Sequence, residues 1–120
     1  MLRFLSSELW RLHNTATWSW NGWIAAWATE KSLRQWTVAQ TVSVTLALVV
    51  HMSSGERALI IALGFLVLAA ELANTAIETI VNRISPERSD MARKAKDVGS
   101  AMVMFTAISV ASAWLVVLAA

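Results

Sequence analysis

Residues 58–82 read ALIIALGFLVLAAELANTAIETIVN, an apolar stretch of 25 residues in which only Glu71 and Glu78 carry charge. Two further stretches flank it, because residues 35–55 and 98–120 hold 21 and 23 consecutive positions without a charged side chain. Each exceeds the roughly 18 residues that a helix needs to cross a bilayer. The sequence therefore predicts three transmembrane helices. They cover residues 35–52, 57–82 and 96–119, and a loop covers residues 83–94.

The composition agrees with a membrane protein and excludes several function classes. Of the 120 residues, 57% are hydrophobic and 15% are charged, whereas soluble domains carry about a quarter charged residues. The length fits one domain over residues 1–120. The absence of cysteine excludes disulfide scaffolds, cysteine-ligated zinc and thiol nucleophiles. Neither GxxxxGK[ST] nor GxGxxG occurs, so a nucleotide site must have another design.

Residues 5–30 predict an amphipathic helix that lies on the membrane surface. Six of the seven tryptophans fall between positions 10 and 36. Trp20, Trp23, Ile24 and Trp27 follow i, i+3, i+4, i+7 spacing, so they share one helical face. Tryptophan favours the headgroup level of a bilayer. The alternative is a soluble helix that packs on a partner.

The distribution of lysine and arginine predicts the orientation in the membrane. Nine of the ten cationic residues precede the first span or follow the second, and Arg57 alone lies in the loop between them. By the positive-inside rule, the side of the membrane that carries more lysine and arginine is the cytoplasmic side. The N-terminus is then inside and the C-terminus outside. Pro86 also disfavours helix at Ser85, so the second span should end there, and Ser89 or Asp90 can cap the third helix.

Polar side chains form a stripe on the second span. Glu71, Asn74 and Glu78 fall within an arc of roughly 60° on a helix. Glu71 lies about 10 Å further from the cytoplasmic end than Glu78, at 1.5 Å per residue. A carboxylate at such depth is costly and usually faces protein or a water-filled cavity. One alternative is a protonated glutamate that serves as a structural hydrogen-bond donor.

Further acids are predicted at the cytoplasmic interface. Glu30, Glu78 and Asp97 gather there beside Lys96, with Glu71 deeper. Such acids can hold a divalent cation and a polyphosphate together, since Mg²⁺ prefers a few carboxylate oxygens plus substrate phosphates. The cation neutralises charge during phosphoryl transfer. The alternative role of the nearby arginines is interfacial anchoring.

Three segments carry a family resemblance. ELANTAIE at residues 71–78, followed by AKDVGSA at 95–101, closely resembles the small prokaryotic diacylglycerol kinase family. AAWATE at 25–30, with Arg34-Gln35 after it, is similar to the family's N-terminal motif, and the match runs over residues 11–101. The resemblance implies an all-α integral membrane homotrimer, with one interfacial and three transmembrane helices per chain and active sites shared between subunits. It also implies transfer of the γ-phosphate of MgATP to diacylglycerol, which forms phosphatidic acid.

The resemblance also implies roles for individual residues. Glu71 is the base that faces the lipid hydroxyl, while Glu30 and Glu78 hold Mg²⁺ on the ATP phosphates. The catalytic residues implied are Glu71, Asn74, Lys96 and Asp97. The nucleotide-binding residues implied are Arg11, Trp18, Glu30, Glu78, Glu87, Lys96 and Asp97. The substrate-binding residues implied are Glu71, Ser100 and Arg34.

Two other functions remain open at this point. The family includes undecaprenol kinases with the same motifs, although the compact loop that begins ISPE at residues 84–87 favours the diacylglycerol branch. The chain could also be a non-enzymatic membrane subunit whose acids only pair helices. The expected location is the bacterial inner membrane, crossed several times, with the N-terminus and the active site cytoplasmic.

Overall fold

Four α-helices and no strand form the computed structural model, which describes all 120 residues. Helix α1 spans Leu2–Thr29, α2 spans Lys31–Val49, α3 spans Ser54–Ile84 and α4 spans Asp90–Ala119. The helices divide into two compact units, Met1–Glu30 and Lys31–Ala120. The all-helical prediction is confirmed.

The first unit consists of α1 and the residue that ends it. The helix runs 28 residues without a break and stops at Glu30, whose backbone is extended and whose N–H donates to the Ala26 carbonyl at 2.7 Å. Trp23 and Trp27 contact each other on one helical face, with ring centroids 5.7 Å apart. Trp20 remains 63% exposed. The tryptophan-rich face therefore exists as the spacing predicts.

In the second unit, α3 packs against both α2 and α4, while α2 and α4 do not pack against each other. The turn between α2 and α3 is fixed by a capping box. The Ser53 hydroxyl accepts from the Glu56 N–H at 3.2 Å, and the Glu56 carboxylate accepts from the Ser53 N–H at 2.7 Å. Arg57 Nε donates to the Ala47 carbonyl near the end of α2 at 2.7 Å. These bonds satisfy backbone groups that a helix end would otherwise leave unpaired.

The loop between α3 and α4 is short, covering residues 85–89. Ser85 ends α3, and the Ser89 hydroxyl caps α4 by accepting from the Ala92 N–H at 3.1 Å. Both predicted helix ends are confirmed. Helix α4 nevertheless begins at Asp90, six residues before the predicted span at 96–119. That span was inferred from apolarity, whereas the first turns of the helix are charged.

Two of the helices, α3 and α4, are long and apolar enough to cross a membrane. Helix α2 does not meet the same criterion of length and apolar character. It has 19 residues, and it ends at Val49 rather than at residue 52. Glutamines and hydroxyl side chains dilute its apolar character at positions Gln35, Thr37, Gln40, Thr41, Ser43 and Thr45. Only 6% of the apolar window of α4 is buried, so this helix needs a cover of lipid or further protein.

The interface between α2 and α3 forms the core of the second unit. Leu33 and Ala47 on α2 and Ile60 on α3 are fully buried. Val67 and Ala70 continue the buried stripe along α3 towards Glu71. This packing holds the polar stripe of α3 against the first turns of α2.

Candidate functional site

A groove of about 860 Å³ opens between α2 and α4, with α3 as its floor. Its floor includes Gly64, Val67, Glu71 and Asn74. Apolar residues of α4, among them Val103, Met104, Ala107 and Ile108, line one wall, and Ser32, Trp36 and Gln40 of α2 line the other. Polar side chains cluster at the end of the groove where Glu71 lies. The groove can therefore hold an apolar molecule with a polar end.

Glu71 is the buried acid of this groove, with 4% of its surface exposed. Its Oε1 accepts a hydrogen bond from the Ser32 hydroxyl on α2. The prediction that this carboxylate faces protein or a cavity is confirmed. A hydroxyl donor is thus already bound at the carboxylate, where a substrate hydroxyl could also bind.

Asn74 links the buried acid to the shallower one. It is 9% exposed, and its Nδ2 donates to Glu78 Oε1 at 3.4 Å. Its Oδ1 has no hydrogen-bond partner and lies against Gly99 of α4, where a Cβ would clash with it. A buried acceptor left unpaired costs about 1–3 kcal/mol. Asn74 Oδ1 is therefore enclosed between α3 and α4, and the Nδ2 amide is the part of this side chain that contacts another predicted site residue.

Gln40 is a second buried polar residue in the groove wall. Its Nε2 donates to the Ile61 carbonyl at 3.1 Å, and its Oε1 packs against Gly64 without a hydrogen-bond partner. Trp114 and Ser43 bond to each other at the same end of the groove, away from Glu71. This end is therefore built from both apolar and polar groups.

A second cavity, of about 520 Å³, lies at the loop between α3 and α4. Glu87, Lys96 and Asp97 line it. Lys96 is half-buried, whereas Glu87 and Asp97 are exposed. Since Asn74 lies against Gly99 in this antiparallel hairpin, Glu78 lies about one helical turn nearer the loop, near the level of Lys96. The loop cavity and the shallow acid therefore lie towards the same end of the hairpin.

Three of the expected site residues belong to the unit Met1–Glu30. Arg11 pairs with Glu8 at 3.1 Å, and Trp18, seven residues on, lies on the same helical face and is 66% exposed. Glu30 is half-buried, and its carboxylate accepts from the Thr29 hydroxyl at 3.0 Å. Arg34, at the start of α2, is half-buried. The structure thus brings the predicted residues together in two groups: Glu71, Asn74 and Ser100 in the groove, and Glu87, Lys96 and Asp97 at the loop.

No group of three or more histidine, aspartate or glutamate side chains could hold a metal ion within this chain. Glu78 offers a carboxylate whose hydrogen bond from Asn74 is long, so it keeps acceptor capacity. A site with one or two carboxylates suits Mg²⁺ that arrives with substrate phosphates. The donor set is therefore compatible with a metal carried by a nucleotide.

Sequence reasoning missed polar residues of the groove, among them Ser32 and Gln40. Ser32 contacts Glu71, which is 39 positions away in the sequence, and no local sequence pattern predicts such a contact. Gln40 did carry a signal, since it is a polar residue inside the first predicted span. Its bond to the Ile61 carbonyl and its packing on Gly64 still required the structure.

The fold and the groove define an all-helical membrane protein with a polar site at the end of an apolar groove. A model of the family described as prokaryotic diacylglycerol kinase matches residues 17–118. The chain is 41% identical over 100 residues to a diacylglycerol kinase of Pseudomonas aeruginosa, covering 83% of this chain and 80% of that protein. It is 36% identical over 108 residues to one of Escherichia coli K12 (90% and 88%) and 32% identical over 111 residues to one of Haemophilus influenzae (92% and 94%).

The chain therefore belongs to the prokaryotic diacylglycerol kinase family, and it is a kinase. The resemblance that the motifs at residues 71–78 and 95–101 indicate is confirmed.

Proposed function

We propose that this protein transfers the γ-phosphate of ATP to the free hydroxyl of sn-1,2-diacylglycerol, giving phosphatidic acid and ADP. The observation that carries the proposal is the buried Glu71 carboxylate at the polar end of an otherwise apolar groove, where it already binds a hydroxyl group. The family supports the same reaction, since the relatives in Pseudomonas, Escherichia and Haemophilus are named diacylglycerol kinase.

The dimensions and lining of the groove suit a lipid. Ser100 and Trp114 both line it and lie 14 residues apart on α4, which is about 21 Å of helix. Val67 and Ile108 offer apolar contacts along that length. The acyl chains would lie along the groove, with the glycerol hydroxyl at Glu71.

In this mechanism Glu71 acts as the general base. Its carboxylate accepts the proton of the lipid hydroxyl while that oxygen forms a bond to the γ-phosphorus. The bond from the γ-phosphorus to the bridging oxygen breaks, and ADP leaves. Asn74 donates to Glu78 and so orients that carboxylate, and Ser100 and Arg34 would contact the glycerol group of the acceptor. Phosphoryl transfer has a loose transition state, so positioning and charge neutralisation supply most of the rate.

The nucleotide would bind at the loop end of the α3–α4 hairpin. The ammonium of Lys96 would contact a phosphate, and Asp97 would contact the nucleotide or orient Lys96. Both side chains line the loop cavity with Glu87. Arg11 and Trp18 share one face of α1 and complete the proposed nucleotide contacts.

Glu30 and Glu78 are the proposed ligands of the divalent ion, which we identify as Mg²⁺. The family implies a divalent metal with ATP, and a site of two carboxylates plus phosphate oxygens is the arrangement that Mg²⁺ prefers. When bound, the ion neutralises charge on the phosphates. Glu78 contributes a carboxylate near the level of Lys96, where the phosphates would lie.

The proposed arrangement has three membrane crossings, with α2 joining α3 and α4, and α1 at the membrane surface. The bonds at the turn after α2 and the tryptophans of α1 support it. Nine of the ten lysines and arginines then lie on one side, which becomes cytoplasmic together with the active site. The location would be the bacterial inner membrane.

A homotrimer with shared active sites is the proposed assembly. Helix α4 leaves most of its apolar surface exposed in one chain, so a partner subunit can pack against it in the bilayer. In the proposed trimer, the Glu30 and Glu71 of one active site come from different chains.

The test is an assay with radiolabelled ATP and Mg²⁺ on purified protein, with diacylglycerol and undecaprenol supplied in parallel. We expect labelled phosphatidic acid, formed about 10²-fold more slowly by the Glu71→Gln variant. Label on undecaprenol instead would make the protein a polyprenol kinase. No label on either lipid, from folded protein, would support a non-enzymatic membrane subunit.

A further inference from the structure

Ser32 differs from the other hydroxyl residues of α2 in its hydrogen bonding. Thr37, Thr41 and Thr45 each donate to a carbonyl of their own helix four residues earlier, at 2.7–2.9 Å. Ser32, the second residue of α2, instead donates across to Glu71 Oε1 on α3. Its side chain is half-buried and lines the groove beside Glu71. Its hydroxyl is therefore committed to the carboxylate rather than to its own helix.

A carboxylate has two oxygens, and the terminal torsion of glutamate has a broad, roughly two-fold preference. The Ser32 hydroxyl binds one oxygen and so fixes the plane in which the other lies. The hydrogen bond has an acid as acceptor, which makes it stronger than one between neutral groups. Without it, the Glu71 carboxylate could rotate within the groove.

We propose that Ser32 is a positioning residue for Glu71: it holds Oε1 so that Oε2 faces the acceptor hydroxyl. This inference rests on the proposed function of Glu71 as general base. Ser32 does not touch the reacting atoms, and it acts through the carboxylate alone. Ser32 lies outside the motifs at residues 71–78 and 95–101.

The first measurement compares kcat and KM for Ser32→Ala with those of the wild type. We expect kcat to fall about 10- to 100-fold, the size of effect that one charge-assisted hydrogen bond and a misplaced base produce. KM for MgATP should stay unchanged, because no proposed nucleotide contact is altered. Thr37→Ala is the matched control, since its hydroxyl bonds within α2. That variant should keep wild-type kcat.

The second measurement separates the hydroxyl from packing. Ser32→Thr and Ser32→Val have nearly the same shape, but only threonine keeps the hydroxyl. We expect Ser32→Thr to recover most of the kcat and Ser32→Val to resemble Ser32→Ala. This pair also keeps the proposal testable if Ser32→Ala fails to fold. Equal activity in the threonine and valine variants would overturn the proposal.

The third measurement is a double-mutant cycle with Glu71→Gln, followed by single-turnover labelling. If Ser32 acts through Glu71, Ser32→Ala should lower the residual rate of Glu71→Gln by less than about twofold. A further loss as large as that in the wild-type background would mean that Ser32 only supports the fold. Failure of the proposed function has a different signature, because the wild type itself would then label no lipid.

Discussion

Trp114 on α4 donates a hydrogen bond from its indole Nε1 to the hydroxyl of Ser43 on α2, at 2.8 Å. This bond joins two helices that do not otherwise pack against each other. Both residues line the groove, and Trp114 lies about 21 Å along α4 from Ser100. The bond therefore connects the two walls of the groove at the end away from Glu71.

Trp114→Phe keeps the aromatic bulk but removes the hydrogen-bond donor. The two walls of the groove, α2 and α4, should then separate more easily at this end. We expect KM to fall several-fold for the longest acyl chains, since one neutral hydrogen bond contributes about 0.5–1.5 kcal/mol. The measurement is KM over a series of diacylglycerols of increasing chain length. Ser109→Ala is the control, because the Ser109 hydroxyl bonds to the Phe105 carbonyl of its own helix. An unaltered chain-length profile in Trp114→Phe would contradict this role.

Gly64→Ala should destabilise the second unit, because the Gln40 amide occupies the place of the added Cβ. Overpacking of this kind costs about 1–3 kcal/mol. The measurement is reversible unfolding in mixed micelles. Gly55→Ala is the control, since nothing lies within 4 Å of its added Cβ. Adding Gln40→Ala to Gly64→Ala should restore stability, and failure to do so would place the strain elsewhere.

Glu71→Gln and Glu78→Gln should impair different steps. Glu78→Gln should weaken MgATP binding and raise the Mg²⁺ requirement, because a metal ligand is lost. Glu71→Gln should leave MgATP binding nearly intact and lower kcat by about 10²-fold, the lower part of the range for removing a general base. The measurements are kcat and nucleotide affinity for both variants. Loss of MgATP binding in folded Glu71→Gln would place both residues in one metal site.

Cysteine labelling tests the proposed orientation, and the absence of native cysteine makes each introduced thiol unique. Ser53 and Ser89 lie at the two loops, but both hydroxyls cap helices, and losing a cap costs about 1 kcal/mol. Their exposed neighbours Ser54 and Arg88 avoid that cost. In intact cells, Ser54→Cys should react with an impermeant reagent and Arg88→Cys should react only after permeabilisation. Labelling of both from outside would reject the orientation.

Mixing two inactive variants tests whether subunits share active sites. Glu30→Gln and Glu71→Gln should each be inactive alone, while trimers assembled from both should recover part of the activity. Recovery occurs because one site can then draw an intact Glu30 and an intact Glu71 from different chains. The measurement is lipid kinase activity after co-assembly, with two affinity tags proving mixed trimers. Mixed trimers without activity would place both residues of a site on one chain.

The parts of this structure that sequence could predict depend on local chemistry. Pro86 and Ser89 act on their immediate neighbours, so the ends of α3 and α4 follow from the sequence. The stripe of Glu71 and Asn74 follows from helical periodicity alone. Gly99 lets α4 pack closely against Asn74, as small residues do between membrane helices.

The parts that sequence could not predict depend on tertiary packing. The contact of Ser32 with Glu71 requires the register of α2 on α3, which no periodicity encodes. The predicted apolar span at 96–119 leaves out residues 90–95 of α4, because helix formation continues through charged residues that apolarity excludes. The unpaired Asn74 Oδ1 likewise arises from packing against α4 and has no sequence signal.

The opening of the groove between α2 and α4 bears on how the acceptor arrives. In the proposed membrane arrangement, a lipid acceptor would enter sideways from the hydrocarbon layer, without passing through water and without leaving its leaflet. Its capture then depends on two-dimensional diffusion, and the effective concentration is its mole fraction among the surrounding lipids. Activity should accordingly follow surface dilution of the acceptor in a vesicle, even when its bulk concentration is constant.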